Sequence, residues 1–286
     1  RSSDLTVTET QSLTSSQLNA MTSTALQALS TGDIQALTTA QVRNLSSTAL
    51  NNLSSTQVQA LSSSQLQALT SSQLNGLNST QVVSLTNTSV RALTSTQLNA
   101  LSSSVLQALE TSDVQALTSS QISALSSTQL NTLLTTQLQS LSTAQVATLT
   151  SSQLNALSST QLQNLESTDL QALTTSQISP LSSSQLNTLL TTQVQKLTDS
   201  QLSALTSTQL NALSSTNLQA IKTTSLQQLG TDRVNALSST QLNALTSSQA
   251  KALTVKQVQA LSSTQLNALT STALQMLETG DVQSLT

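Results

Sequence analysis

The side chains here that could do acid–base or metal chemistry are few and evenly placed. Asp33, Asp113, Asp169 and Asp281 each lie three residues after a Ser or Glu, in segments such as Leu29-Ser-Thr-Gly-Asp-Ile34 and Leu277-Glu-Thr-Gly-Asp-Val282. Stacked copies of such a segment could offer carboxylate oxygens to Ca²⁺, which takes six to eight oxygen ligands. The acids are too sparse for a regular array, and the simpler reading is a carboxylate at a helix start, where it favours the positive end of the helix. Glu110, Glu166 and Glu278 stand where a Ser or Thr normally sits, which reads as a solvated surface variant rather than a catalytic acid. Sequons begin at Asn44, Asn52, Asn78 and Asn87, and a chain this rich in Ser, Thr and Asn produces such triplets by chance. The dense hydroxyls could carry O-linked sugar; their simpler role is helix capping. Arg43, Arg91, Lys196, Lys222, Arg233, Lys251 and Lys256 form no run and read as solubilising charges.

Composition removes most other chemistry. The 286 residues include no Cys, His, Phe, Tyr or Trp, and Ser, Thr, Asn and Gln make up roughly 55% of them. Common zinc, haem and iron–sulfur ligand sets are missing, and neither a Ser–His nor a Cys–His pair can be assembled. Eight basic against 11 acidic residues give a net charge of -3, which supplies no basic face for a phosphate backbone. No apolar run approaches the roughly 20 residues of a membrane span. The expectation is therefore no catalytic, cofactor-binding or metal-binding residue, no cofactor, no nucleic-acid partner and no membrane span. The chain starts at Arg1 without Met or a visible signal peptide, and reads as a processed or excised piece of something longer.

A repeat of eight governs the sequence. After a lead-in of residues 1–4, 35 octads run from Leu5 to Ser284 without insertion or deletion, and Leu285 opens another. In Leu237-Ser-Ser-Thr-Gln-Leu-Asn-Ala244, position one is Leu237 and position eight Ala244. Position one is Leu in 33 octads, with Met21 and Ile221 the exceptions; position six is Leu, Val or Ile in 33, with Thr10 and Ala250 the exceptions. Position five is Gln in 22 octads and Asp in four, and position eight is Ala in 20. Disorder is the low-complexity alternative, but polar linkers have no reason to keep Leu in phase. Residues 5–286 read as one continuous repeat domain. A second period shows where Leu109–Ala116 recurs 56 residues on as Leu165–Ala172. This is either gene duplication or a whole number of superhelical coils.

The aliphatic steps alternate five and three. On a continuous α-helix, eight residues advance the pattern by roughly 80°, so the apolar stripe would circle the helix. On a continuous strand, positions one and six would face opposite sides. The chain must turn once per octad. In most units position two followed by position five reads Ser/Thr-x-x-Gln, as in Ser158 and Gln161, which is a capping box. The helix should then run over positions three to seven or eight and present positions six and one on one face. The expected fold is all-α: a solenoid of 35 stacked eight-residue units, each a short capped helix and a turn. A β-solenoid, with positions six to eight as short strands, is the alternative. Pro180 at position eight requires its helix to have ended by then.

The unit Leu149-Thr-Ser-Ser-Gln-Leu-Asn-Ala156 followed by Leu157, preceded by Thr148, resembles the Ala-Leu-Thr-Thr-x-Gln-Ile-x-Ala-Leu tracts of very large bacterial surface and adhesin-like proteins. The resemblance covers essentially the whole chain, which differs in placing Asn or Gln at position seven where those tracts often have Ala. It implies an extracellular, cell-surface structural protein, a rod or filament, with no catalytic residues. The alternative is a module whose Ser/Thr ranks bind polysaccharide, ice or mineral. Leu277, Val282 and Leu285 keep the phase at the end of the sequence, so either more repeats or end-to-end self-assembly is expected there.

Overall fold

A computed structural model describes residues 5–277. Among them are 34 helices of four to six residues, from α1 (Val7–Ser12) to α34 (Ser271–Met276), and no strand. The β-solenoid alternative is thereby set aside. Glu278, Asp281, Val282 and Leu285 lie outside the described residues.

Most helices begin where the hydroxyl pattern places them. Ser158 is extended, with φ −65° and ψ 157°, and precedes the helix Ser159–Gln163. Its hydroxyl accepts from the Gln161 N–H at 3.3 Å, while Gln161 Oε1 accepts from the Ser158 N–H at 3.1 Å. Both orphan donors of the first turn are thus satisfied within the octad. A helix that runs through position eight ends because the next position-one residue turns extended: Leu157 has φ −61° and ψ 137°. Its N–H closes a tight bond to the Leu154 carbonyl at 3.3 Å. Two successive extended residues, at positions one and two, therefore make every turn. No described residue needs a positive φ, which is how the chain turns so often with four glycines. Pro180 follows the helix Thr175–Ile178, past its end.

Positions one and six form the core. Leu149 and Leu154 are 1% and 0% exposed, and the same slots are buried along nearly all of the described chain. Helices stack on the third helix along. In the first of two compact units, residues 1–148, Thr39–Arg43 packs on Ser63–Ala68, which packs on Asn87–Ala92, which packs on Thr111–Ala116. In the second, residues 149–286, Thr191–Val194 packs on Ser215–Ala220, which packs on Ser239–Ala244. Within each unit a coil is therefore three octads, or 24 residues. Coils approach closely at position eight: a Cβ on Gly76 would stand 2.6 Å from Ser47 Oγ, one coil away. Since 56 is not a multiple of 24, the 56-residue recurrence is not a coil period, and duplication is left as its explanation.

Candidate functional site

The buried polar groups of the chain are concentrated at position five. Gln57, Gln65, Gln137, Gln153, Gln201 and Gln257 are all 1–2% exposed. Their burial is explained by what the amide nitrogen does. Gln65 Oε1 accepts from the Ser62 N–H at 2.8 Å, which is the capping box. Its Nε2 donates back one coil, to the carbonyls of Leu37 at 2.7 Å and Ile34 at 2.8 Å. Gln201 repeats this with Thr198, Leu173 and Leu170. For both, the partners lie 28 and 31 residues earlier, while Gln129, Gln209 and Gln265 use carbonyls 28 and 30 residues earlier. Gln65 and Gln201 are each a rung that caps its own helix and ties it to the coil before.

Position seven carries a second ladder, running forward. Asn75 Nδ2 donates to the Ala100 carbonyl at 2.8 Å, 25 residues on, and its Oδ1 accepts from the Ser102 N–H at 2.6 Å, 27 residues on. Asn19, Asn99, Asn155, Asn187, Asn211 and Asn243 do the same. Gln at this position reaches only the carbonyl, as Gln67 does to Ala92. The two ladders compensate. Ala49, Val105 and Ala273 replace the position-five Gln, and in each case an Asn from the previous coil accepts from the N-cap amide instead. In two octads where Asn and Gln coincide, the Gln yields the amide and bonds the hydroxyl: Gln185 with Ser182 and Gln241 with Ser238.

Sequence reasoning found the capping half of these rungs and missed the half that crosses between coils. One signal was available. Glu serves a capping box as well as Gln does, yet Glu occupies position five once, at Glu9. Glu9 is exposed, and its carboxyl is held below the usual range by the Thr6 N–H and hydroxyl. A buried rung needs a donor that Glu lacks.

Two of the carboxylates considered above, Asp33 and Asp113, act within capping boxes. Asp33 Oδ2 accepts from the Ser30 N–H and hydroxyl, each at 2.8 Å. Asp113 Oδ2 accepts from the Glu110 N–H at 3.2 Å. Burial pushes the Asp113 carboxyl up, and the nearby Glu110 charge adds to this, against that hydrogen bond. Asp169 is buried at the same position of its octad. Glu110 and Glu166 are exposed N-cap residues with no side-chain cap. Among the described residues no three His, Cys, Asp or Glu come together as a metal-ligand group. Asn44, Asn78 and Asn87 are exposed and Asn52 half-buried; Asn78 spends its Oδ1 as an N-cap. Of the basic residues, Arg233 is half-buried and Arg43, Arg91, Lys196, Lys222, Lys251 and Lys256 are exposed. No described helix is long and apolar enough to cross a membrane.

One hexapeptide states the whole device. Ala36-Leu-Thr-Thr-Ala-Gln41 contains the core Leu37, the N-cap Thr38 and the rung Gln41. Gln41 accepts from the Thr38 N–H at 2.7 Å and donates to the carbonyls of Leu13 at 2.7 Å and Thr10 at 3.0 Å. The profile of the ALTTAQ repeat matches residues 27–63, 58–87, 106–143, 162–199 and 234–263, together more than half of the chain. The chain belongs to the ALTTAQ repeat family. A comparison with curated proteins finds no match. The ALTTAQ signature thus names the residues that make one helix and fasten it to the coil before.

Proposed function

We propose that this chain is a non-catalytic structural repeat protein, serving as a rod or filament segment outside the cell, at a bacterial surface. The observation that supports it is the direction of the buried polar groups: the Gln and Asn side chains are turned onto the backbone of adjacent coils. That arrangement stiffens a stack and leaves a surface of Ser and Thr at positions two to four. The extracellular placement rests on the resemblance to large surface proteins. Self-assembly follows from the same chemistry. One coil offers another copy's coil the groups it offers its own neighbour, a heterologous contact that builds open filaments. Electron microscopy of the purified chain, with sedimentation across a concentration series, tests both. Elongated particles that lengthen with concentration are expected; compact monomers at every concentration overturn the reading.

A second reading is favoured by the exposure of positions three and four. Their hydroxyls stand in ranks that could meet polysaccharide, ice or mineral, or carry O-linked glycan. The mixture of Ser and Thr in these ranks argues against matching a strict lattice. Retention on insoluble polysaccharide that survives high salt would support this reading over the first.

A further inference from the structure

The octad Leu85–Ala92 breaks the rung rule. Its position five is Ser89, 3% exposed, whose hydroxyl bonds Thr86 Oγ1 at 2.9 Å and is too short to reach the previous coil. The side chain that fills this slot in the next octad is Gln97. Its Nε2 donates to Leu66, Gln67 and Leu69 carbonyls at 2.9, 3.3 and 2.8 Å, and its Oε1 accepts from the Thr94 N–H and hydroxyl at 2.9 and 3.0 Å. Eight residues earlier the same register sets the carbonyls of Val58, Gln59 and Leu61 opposite the N–H and hydroxyl of Thr86. Position seven of the previous coil offers no substitute there, being Gln59 rather than Asn. Neither the Thr86 N–H nor the Leu61 carbonyl has a protein hydrogen-bond partner among the described residues. A cleft of about 340 Å³ opens at this place, lined by Gln35, Gln59, Leu61, Ser62, Thr86 and Ser89 among others.

We infer that the cleft at Ser89 is a binding site for a primary carboxamide. The site presents carbonyl acceptors on one side and an amide and a hydroxyl donor on the other. A primary carboxamide is complementary to both, having two N–H donors and an oxygen with two lone pairs. A carboxylate would set acceptor against acceptor, and an N,N-dialkylated amide has no hydrogen to give. The Val105 octad is the contrast: its cleft is smaller, about 160 Å³, the side chain in the slot is apolar and 7% exposed, and Asn75 takes the Ser102 N–H that would otherwise face a ligand. Ser225 repeats the Ser substitution in the second unit, but with Lys222 as N-cap it lacks the hydroxyl donor. The carboxamide can come from a small free amide or from an Asn or Gln side chain of another polypeptide.

Hydrogen–deuterium exchange of the peptide spanning residues 85–92, in the full chain, is the test. Propionamide should slow its exchange, about threefold at twice the Kd, while propionate and N,N-dimethylpropionamide leave it unchanged. Ser89→Gln should slow the same exchange without ligand and abolish the response to propionamide. Ser89→Ala keeps the slot open and should still respond, which covers the case of a poorly folding Gln variant. N-acetylglutamine methylamide acting at lower concentration than propionamide assigns the site to a chain glutamine; equal potency assigns it to a free amide. No slowing by propionamide, equal slowing by the dimethylamide, or an undiminished response in Ser89→Gln overturns the proposal.

Discussion

Replacing Gln201 with Glu separates capping from coil fastening, because it keeps one and inverts the other. Gln201 is 2% exposed; its Oε1 accepts from the Thr198 N–H at 2.9 Å and its Nε2 donates to the Leu170 and Leu173 carbonyls, both at 2.7 Å. Glu has nearly the same shape and serves a capping box equally well, and its charge favours a helix N-terminus. If capping were the whole role, Gln201→Glu would be neutral or stabilising. As a rung it loses two donors to buried carbonyls, each costing about 1–3 kcal/mol when left unsatisfied. The expected loss is roughly 2–6 kcal/mol, and for chains of roughly 150–250 residues each kcal/mol lowers Tm by about 2–4 °C. Burial in front of carbonyls disfavours the charged form and raises the new carboxyl's pKa. The folded state then binds the proton more tightly than the unfolded one, so stability rises as pH falls towards that pKa, and the protonated acid regains one donor. Melting followed by circular dichroism at pH 7 and pH 4 is the assay. Gln17→Glu is the internal control: Gln17 caps Thr14 at 2.8 Å but is exposed, so its change should be near zero. Gln201→Glu as stable as the parent at pH 7, or no different from Gln17→Glu, refutes the rung.

Other substitutions probe the remaining parts. Leu157→Asp puts an unpaired charge at a 3% exposed core site, and should cost several-fold more than Ser158→Ala, whose lost cap is worth about 1 kcal/mol; equal melting shifts would place position one outside the core. Thr10 is fully buried with its hydroxyl unpartnered; Thr10→Val should stabilise by about 1–2 kcal/mol in denaturant unfolding. Asp113→Asn should stabilise at pH 7, where the buried carboxylate is ionised. That advantage should shrink as pH falls and the parent's Asp113 takes up its proton, as paired melts across pH 3–7 would show. Asn217, Ser225 and Arg233 occupy position five in three successive octads; Asn217 still donates to the Leu186 and Leu189 carbonyls, at 3.1 and 3.4 Å, so this coil keeps one long rung and has no Gln at the other two. Hydrogen exchange should be fastest there within the second unit, and faster than over residues 245–268, where Gln249, Gln257 and Gln265 are in place.

Much of this was legible because it lies within one octad. The alternation of five and three placed Leu149, Leu154 and Leu157 inside, and Ser158 with Gln161 marked a helix start. Pro180 marked where a helix had to stop. The coil was not legible, since a rung's partners are backbone carbonyls 28 to 31 residues away, and a carbonyl has no residue signature. What could be read was indirect: Gln preferred over Glu at a slot where capping accepts both, and Asn19, Asn75 and Asn243 each lying 30 residues before an apolar Ala49, Val105 or Ala273. The capping pattern lapses at Leu134 and Leu190. There no hydroxyl exists, and Gln137 and Gln193 accept from the N-cap amides alone, at 2.9 Å.

The reach of a rung sets how such a sequence can be rewritten. Its longest bond spans 31 residues, so each helix reads only the four octads before it and has no knowledge of a centre. A single inserted residue would put every rung across the next coil out of step, whereas a copied block of whole octads meets, in phase, the backbone carbonyls of whichever octads precede it. The segment Leu117–Ser140, repeated with few changes 56 residues later at Leu173–Lys196, is a block of this kind. It is 24 residues long, the length of one coil, and keeps the eight-residue phase. Genes of this type can therefore grow and shrink by unequal crossing-over at the octad boundary, and natural variants should differ in length by multiples of eight residues.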